Sequence, residues 1–358
     1  MDTARFWKTF QEGLFPENLK ALETSSNHHR KIILVLNMIR IEEFIPYDPV
    51  IKQGRPKRDR SLLARAFIVK EVLGLLFVKD LIIYLNADPF LKRICGWYTK
   101  KLPCEATFSN AFRDFVKINL AEKVHKILLS ENLKQCENMI FCRDSTDIPA
   151  REKAVITQKK AVKKYPVGRP RKNEVREKKE TVISRQMTET LEKSLSLIPK
   201  HCNYGKKKKD GKSYSWKGYK FHLDTTEKGI PIAGILSSAS ESDFNVAIPL
   251  HKKSQRICLA SLALMDKGYD SQDLRNFHKV HGTHAITQFK KRRNQFNPEL
   301  SKLESSQIGK RNAVERAFSR LKDSFHIDKI RYKGYIKVNS KIHFSLLVLT
   351  AMVFLESG

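Results

Sequence analysis

Two short apolar runs in this chain each stop on an aspartate. Met139-Ile140-Phe141-Cys142-Arg143 leads to Asp144, and residues 259–265 lead to Asp266. Runs of that length, bounded by polar residues, are too short for a typical helix and read as buried strands. Between them, residues 219–223 and 230–236 flank Asp224-Thr225-Thr226-Glu227-Lys228-Gly229, which predicts a hairpin. Helical spacing marks residues 242–254 and 271–280, and residues 283–289 read as a further strand. Strand, hairpin, helix, strand, helix, strand is the order of an α/β core with a mixed sheet and flanking helices. Asp144 and Asp266 then stand at strand ends, where open sheets commonly hold ligands.

Upstream the period is helical. Residues 31–43 carry a mostly apolar face, residues 61–84 repeat apolar positions as one long helix, and Thr107 opens a further helix through Phe108, Phe112 and Phe115. Three segments are therefore expected: an all-α N-terminal domain over 1–135, the α/β core over 136–330, and a C-terminal strand or helix over 331–358 packing on that core. Within the core, residues 151–213 read as a basic, partly flexible insertion. Residues 151–220 hold about half of the excess positive charge, including Lys206, Lys207, Lys208 and Lys209.

The chain holds 68 Lys and Arg against 38 Asp and Glu, a net charge of +30. An excess of that size favours polyanions, so a nucleic-acid partner is expected. A bilayer span needs roughly 20 apolar residues, and the most apolar stretch, residues 343–355, falls short and reads as a buried helix. Met1-Asp2-Thr3 precedes charged and aromatic residues, so no secretory signal is expected. The six cysteines form no Cys-x-x-Cys pair and no zinc-type cluster, and read as buried thiols of an intracellular protein.

Residues 310–326 form an amphipathic helix with Val314, Ala317, Phe318, Leu321 and Phe325 on one stripe and Glu315 on the polar side. Three acids, Asp144, Asp266 and Glu315, suit hard divalent cations, which take oxygen ligands. Two such ions together can activate a nucleophile and stabilise a leaving oxygen in phosphodiester chemistry. Each acid alone has a simpler reading. An aspartate after a strand often caps a turn, and Glu315 could pair along its helix with Arg311 or Lys322. Asp147 competes with Asp144 for the first position, although Ile148-Pro149 suggests that the strand has already turned away. Asp224 and Asp270 read as turn acids. Asp323 and Asp328 follow the key helix without a motif, and His222 reads as a structural histidine or a DNA contact. Glu177-Lys178-Lys179 matches a nuclease element by chance within a charge run. Gly54-Arg55-Pro56-Lys57 and Gly168-Arg169-Pro170-Arg171 resemble minor-groove hooks, with backbone contact the broader expectation.

Together these residues resemble the bacterial insertion-sequence transposases of the DDE superfamily, in the group named after insertion sequences four and five. Arg143-Asp144-Ser145-Thr146 is similar to the first motif of that family, and Asp266-Lys267-Gly268-Tyr269-Asp270 to the second. Arg311, Glu315 and Lys322 reproduce the Arg-Glu-Lys spacing of its third, with Ile308 where the family carries Tyr. Gly54-Arg55-Pro56, Cys95-Gly96 and Thr107-Phe108-Ser109 resemble its N-terminal helical domain, and Trp216-Lys217-Gly218-Tyr219-Lys220 its second core strand.

The resemblance implies a ribonuclease-H-like fold. It also implies two Mg²⁺ ions, with Mn²⁺ a substitute: Asp144 bridging both, Asp266 on one and Glu315 on the other. The implied enzyme cleaves the ends of its own element and joins the 3′ hydroxyls to target DNA, with Arg311 and Lys322 positioning phosphates. Arg316, Lys267, Arg169, Arg171, Arg55 and Lys57 complete the expected DNA contacts. The expected partners are terminal-repeat and target duplexes, and a second copy of the chain, in the cytoplasm at the nucleoid. Two other outcomes stay open: a domesticated relative that only binds DNA, and a general nuclease.

Overall fold

A computed structural model describes residues 26–46, 57–98, 101–133, 138–155, 180–209, 211–290 and 299–357. The chain divides into two compact units, one of Met1–Val124 with Ala351–Gly358 and one of His125–Thr350.

Up to residue 133 the described segments are helical: α1 (Asn27–Ile39), α2 (Arg60–Val72), α3 (Val78–Ala87), α4 (Pro89–Ile94), α5 (Glu105–Lys117) and α6 (Leu120–Asn132). In the first unit, Phe67 packs its ring against Phe108, Phe112 and Phe115 of α5. The single helix expected over 61–84 is two. α2 stops because Gly74 adopts φ 64°, which glycine reaches without steric cost. The Leu75 amide then bonds Lys70 O and the Gly74 amide bonds Glu71 O, both at 3.0 Å, closing the last carbonyls of the helix.

Among the described residues, the second unit is built on a sheet of six strands: β1 (Met139–Pro149), then after α7 (Val182–Thr188) and α8 (Leu191–Leu197), β2 (Asn203–Lys209), β3 (Lys212–Thr226) and β4 (Pro231–Ser238). α9 (Asp243–Gln255), β5 (Ala260–Met265), α10 (Gln272–Val280), β6 (His284–Thr287), α11 (Lys302–Ile308), α12 (Asn312–Asp323) and α13 (Tyr335–Ser357) follow. The order β2-β3-β1-β5-β6, with β4 also on β3, mixes antiparallel pairs at one side with the parallel pairs β1-β5 and β5-β6 at the other. This is the mixed sheet with flanking helices expected of a ribonuclease-H-like core.

Neighbouring residues of β1 identify the two faces, since strand side chains alternate. Cys142 Sγ donates to Lys310 O, just before α12, whereas Arg143 donates to Ala247 O on α9. Helices therefore cover both sides, and Phe141, Cys142 and Arg143 of β1 are buried between them.

Two expectations change here. β1 does not turn away after Asp144 but continues through Asp147 and Ile148 to Pro149, because β3 pairs with it over that whole length, from Phe141↔Thr226 to Pro149↔Gly218. Proline is tolerated there because β1 pairs with β3 alone beyond Arg143 and so is an edge at that end. The described parts of the basic insertion carry regular structure: α7 and α8 pack toward α9, and β2 pairs with β3 from Asn203↔Gly218 to Lys209↔Lys212. Residues 156–179 lie outside the described residues. Helix α13 is long and apolar enough to cross a membrane, but 83% of its most apolar window is buried in the fold.

Candidate active site

Parallel pairing of β1 with β5 runs up to Arg143↔Met265. One residue further on each strand stand Asp144 and Asp266. Asp266 leaves β5 into the tight turn Lys267–Tyr269, which forms because the Tyr269 amide bonds back to Asp266 O at 2.9 Å. Glu315 lies in the first turn of α12, which packs on β1 and β3. The link between strand and helix is Arg311. Its Nη1 lies 3.1 Å from Asp144 Oδ2 and its Nη2 lies 2.6 Å from Glu315 Oε1, a charge-assisted fork that holds two carboxylates at once.

Asp144 resists ionisation. Burial pushes its carboxyl up to about 6, against the Ser145 amide and the Arg311 charge, and the negative charges of Asp266 and Asp243 add a smaller rise. A carboxyl raised mainly by burial favours its charged form again once a cation is beside it. The donor set fits in kind: carboxylate oxygens on two adjacent strand ends and a helix suit a hard divalent ion. Among the described residues, however, no three His, Cys, Asp or Glu side chains converge as a ready metal cluster. The Arg311 guanidinium, not a third carboxylate, lies between Asp144 and Glu315.

Behind the acids is a buried arrangement that the sequence reading missed. Arg143, fully buried, forks onto Asp224 at 2.7 and 2.8 Å, and Ser254 Oγ donates to Asp224 Oδ2 at 2.6 Å. Asp224 is therefore not a turn acid but an inward strand residue of β3, paired opposite Arg143. An arginine inside an otherwise apolar run was the available signal, since a buried guanidinium requires a partner.

The remaining candidates divide by position. Asp147 is tied to Lys207 Nζ at 2.7 Å and Lys322 Nζ at 3.2 Å, and these cations hold its carboxyl below the usual range despite its burial. Lys322 is thus engaged with Asp147, while Arg316 and Lys267 are exposed near Glu315 and Asp266 in sequence. Asp270 is nearly buried and pairs with Arg275 at 2.8 Å, fastening the turn after Asp266. Asp323 accepts from Ser319 at 2.7 Å on its own helix. His222 is buried with Ser237 Oγ at 2.9 Å from its Nε2, and burial pushes it down to about 4, so it is a neutral structural group. Lys57 is exposed in the first unit, where it lines an open pocket of about 550 Å³ with Arg58, Arg60 and Lys101. Arg55, Arg169, Arg171 and Glu177 lie outside the described residues. Of the described cysteines Cys95, Cys142, Cys202 and Cys258 are buried thiols, whereas Cys104 is exposed, against expectation.

No curated protein matches the chain, and no solved structure does. Residues 136–351 match the model of the family described as the transposase DDE domain. That span is well over half of the 358 residues and contains all three acids, Arg311 and the whole sheet. By this match, and with a mixed sheet flanked by helices around Asp144 and Asp266, the chain belongs to the family of transposases with a DDE domain.

Proposed function

We propose that this protein is the transposase of a bacterial insertion sequence of the group named after insertion sequences four and five, cutting the ends of its element and joining them to target DNA. The observation that carries this reading is the placement of Asp144 beside Asp266 on parallel strands, with Arg311 joining Asp144 to Glu315. Asp144, Asp266 and Glu315 are the residues that would hold Mg²⁺, or Mn²⁺ in its place. Two such ions, when bound, supply activation of an oxygen nucleophile and neutralisation of a leaving oxygen.

The chain's own residues do the rest. The Arg143–Asp224 fork fixes the strand on which Asp144 sits, so that its carboxylate is positioned before DNA arrives. Arg311 exchanges a carboxylate for a phosphate oxygen, a ligand its planar fork matches equally well. Lys322, Arg316 and Lys267 hold neighbouring phosphates, and Arg55, Lys57, Arg169 and Arg171 add backbone contacts further along the duplex. Joining two ends in one event calls for a pair of chains on DNA, in the cytoplasm at the nucleoid.

The test is cleavage of a duplex carrying the element's terminal repeats, in Mg²⁺, by the wild type beside Asp144→Asn, Asp266→Asn and Glu315→Gln. The expected result is that all four bind and only the wild type cuts. If all four bind and none cuts, the protein is a DNA-binding relative. If unrelated duplex is cut as readily, it is a general nuclease.

A further inference from the structure

The first half of β3 pairs with β2 alone, whereas its second half lies between β1 and β4. Beyond Gly218 the sheet therefore narrows to a two-stranded antiparallel ribbon. Gly218 makes this possible: a Cβ there would strike Ile148 O, and its φ of 153° is one that other residues rarely adopt. The two strands of the ribbon are strongly basic, with Lys206, Lys207, Lys208, Lys209, Lys212 and Lys217 and no acid within 203–209 and 212–218.

Its exposed aromatic residues separate it from an ordinary solvated edge. Lysines alone would serve to keep an edge strand from pairing with another chain. Tyr204 and Tyr214, however, are 55% and 48% exposed, and such residues promote association instead of preventing it. On one face, Trp216 lies over Gly205, where a Cβ would strike its ring. Lys207 Nζ sits 5.8 Å from the Trp216 ring centroid, and Tyr214 is directly opposite Lys207. Cations interleaved with flat rings on an extended ribbon match a polyanion with stacked or grooved surfaces.

The ribbon is also connected to the acids. Lys207 and Lys322 share the Asp147 carboxylate, so the ribbon's cationic face is pinned to the helix that carries Glu315. A duplex whose phosphate backbone reached Asp144 and Asp266 would continue along this ribbon.

We infer that the β2–β3 ribbon is a duplex-DNA-binding arm, with Lys212 on a phosphate and Tyr214 against the sugar–base edge, both on the face that carries Lys207 and Trp216, on the same DNA that enters the acidic site. A two-stranded ribbon is narrow enough for the major groove of B-form DNA. The inference rests on the transposase reading and adds a contact surface outside the motifs of that reading.

The test uses the full chain and a fluorescently labelled duplex of unrelated sequence, titrated over a range of salt. Lys212→Ala should weaken binding several-fold. Each phosphate contact contributes about 0.9 to the slope of log K against log salt, so the slope should become shallower by about 1. Lys212→Arg should retain the wild-type slope, and Tyr214→Ser should weaken binding without changing it. Both side chains are exposed, so far-ultraviolet circular dichroism and the unfolding midpoint should match the wild type.

Unchanged affinity and slope in Lys212→Ala would overturn the inference. If the wild type cuts its terminal repeats while the ribbon variant binds duplex normally, this inference alone fails. If the wild type neither binds nor cuts duplex, the transposase reading fails with it.

Discussion

Arg143 and Asp224 face each other across β1 and β3 as a doubly bonded ion pair, 2.7 and 2.8 Å, with both side chains removed from solvent. The pair lies one residue from Asp144, so its geometry is transmitted directly to the backbone that carries the acid. Ala247 O and Ser254 Oγ complete its hydrogen bonding and tie in α9.

Removing one partner leaves the other buried and charged, which costs about 3–5 kcal/mol. Arg143→Met and Asp224→Leu should each lower stability by that order in urea unfolding. The double variant should be more stable than either single one, because no uncompensated charge remains. Additive losses would show that the two side chains are not coupled.

Asp144→Asn should stabilise the metal-free protein. The folded carboxyl is raised to about 6 by burial, against an ordinary value near 4, so the charged form destabilises the fold above pH 6. The asparagine variant should gain about 1–3 kcal/mol at pH 8. That gain should shrink as pH falls from 6 to 4, where the unfolded carboxyl also becomes protonated. Urea midpoints of the two proteins at pH 8, 6 and 4 check this, and an equal difference at all three would count against it.

Three buried histidines predict acid sensitivity. Burial lowers His222 to about 4 and His278 to about 3, and lowers His251, whose ring lies 4.2 Å from that of His278. Below about pH 6.5 the unfolded chain binds protons that the folded chain refuses, so stability falls with pH. Each histidine contributes a slope of about 1.4 kcal/mol per pH unit there. His278→Gln should flatten the fall in thermal midpoint between pH 6.5 and 5, while the wild type declines steeply.

Asp147→Asn should release two cations from one carboxylate. With Lys207 and Lys322 no longer neutralised, duplex affinity should rise several-fold. The salt slope should steepen by as much as about 2. Fluorescence anisotropy over a salt series measures both, and a loss of affinity would indicate that Asp147 orients the lysines instead of competing with DNA for them.

Gly218→Ala should cost about 2 kcal/mol or more, since the new methyl meets backbone and not a movable side chain. Guanidinium unfolding reads the loss.

Local pattern carried a large part of this protein. The apolar runs before Asp144 and Asp266 are β1 and β5, and the stripe of Val314, Ala317, Phe318 and Leu321 is the buried face of α12. The motif spacings brought Asp144, Asp266, Arg311 and Glu315 to notice, and the net charge pointed to nucleic acid. Such features are short-range: periodicity and spacing are written into consecutive residues.

What the chain could not announce locally depended on partners distant in sequence. β1 runs to Pro149 because β3 offers hydrogen bonds that far, and no property of Asp147-Ile148-Pro149 alone specifies it. Asp224 became a buried counter-ion only when β3 placed it opposite Arg143. Lys206 to Lys209 read as a solvated charge run until pairing with β3 made them one strand of a ribbon. Residues 139–144 and 260–266 thus determined which carboxylates were available. Tertiary pairing decided which of the surrounding charges face one another, because ion pairs and strand ladders join residues that sequence separates by dozens of positions.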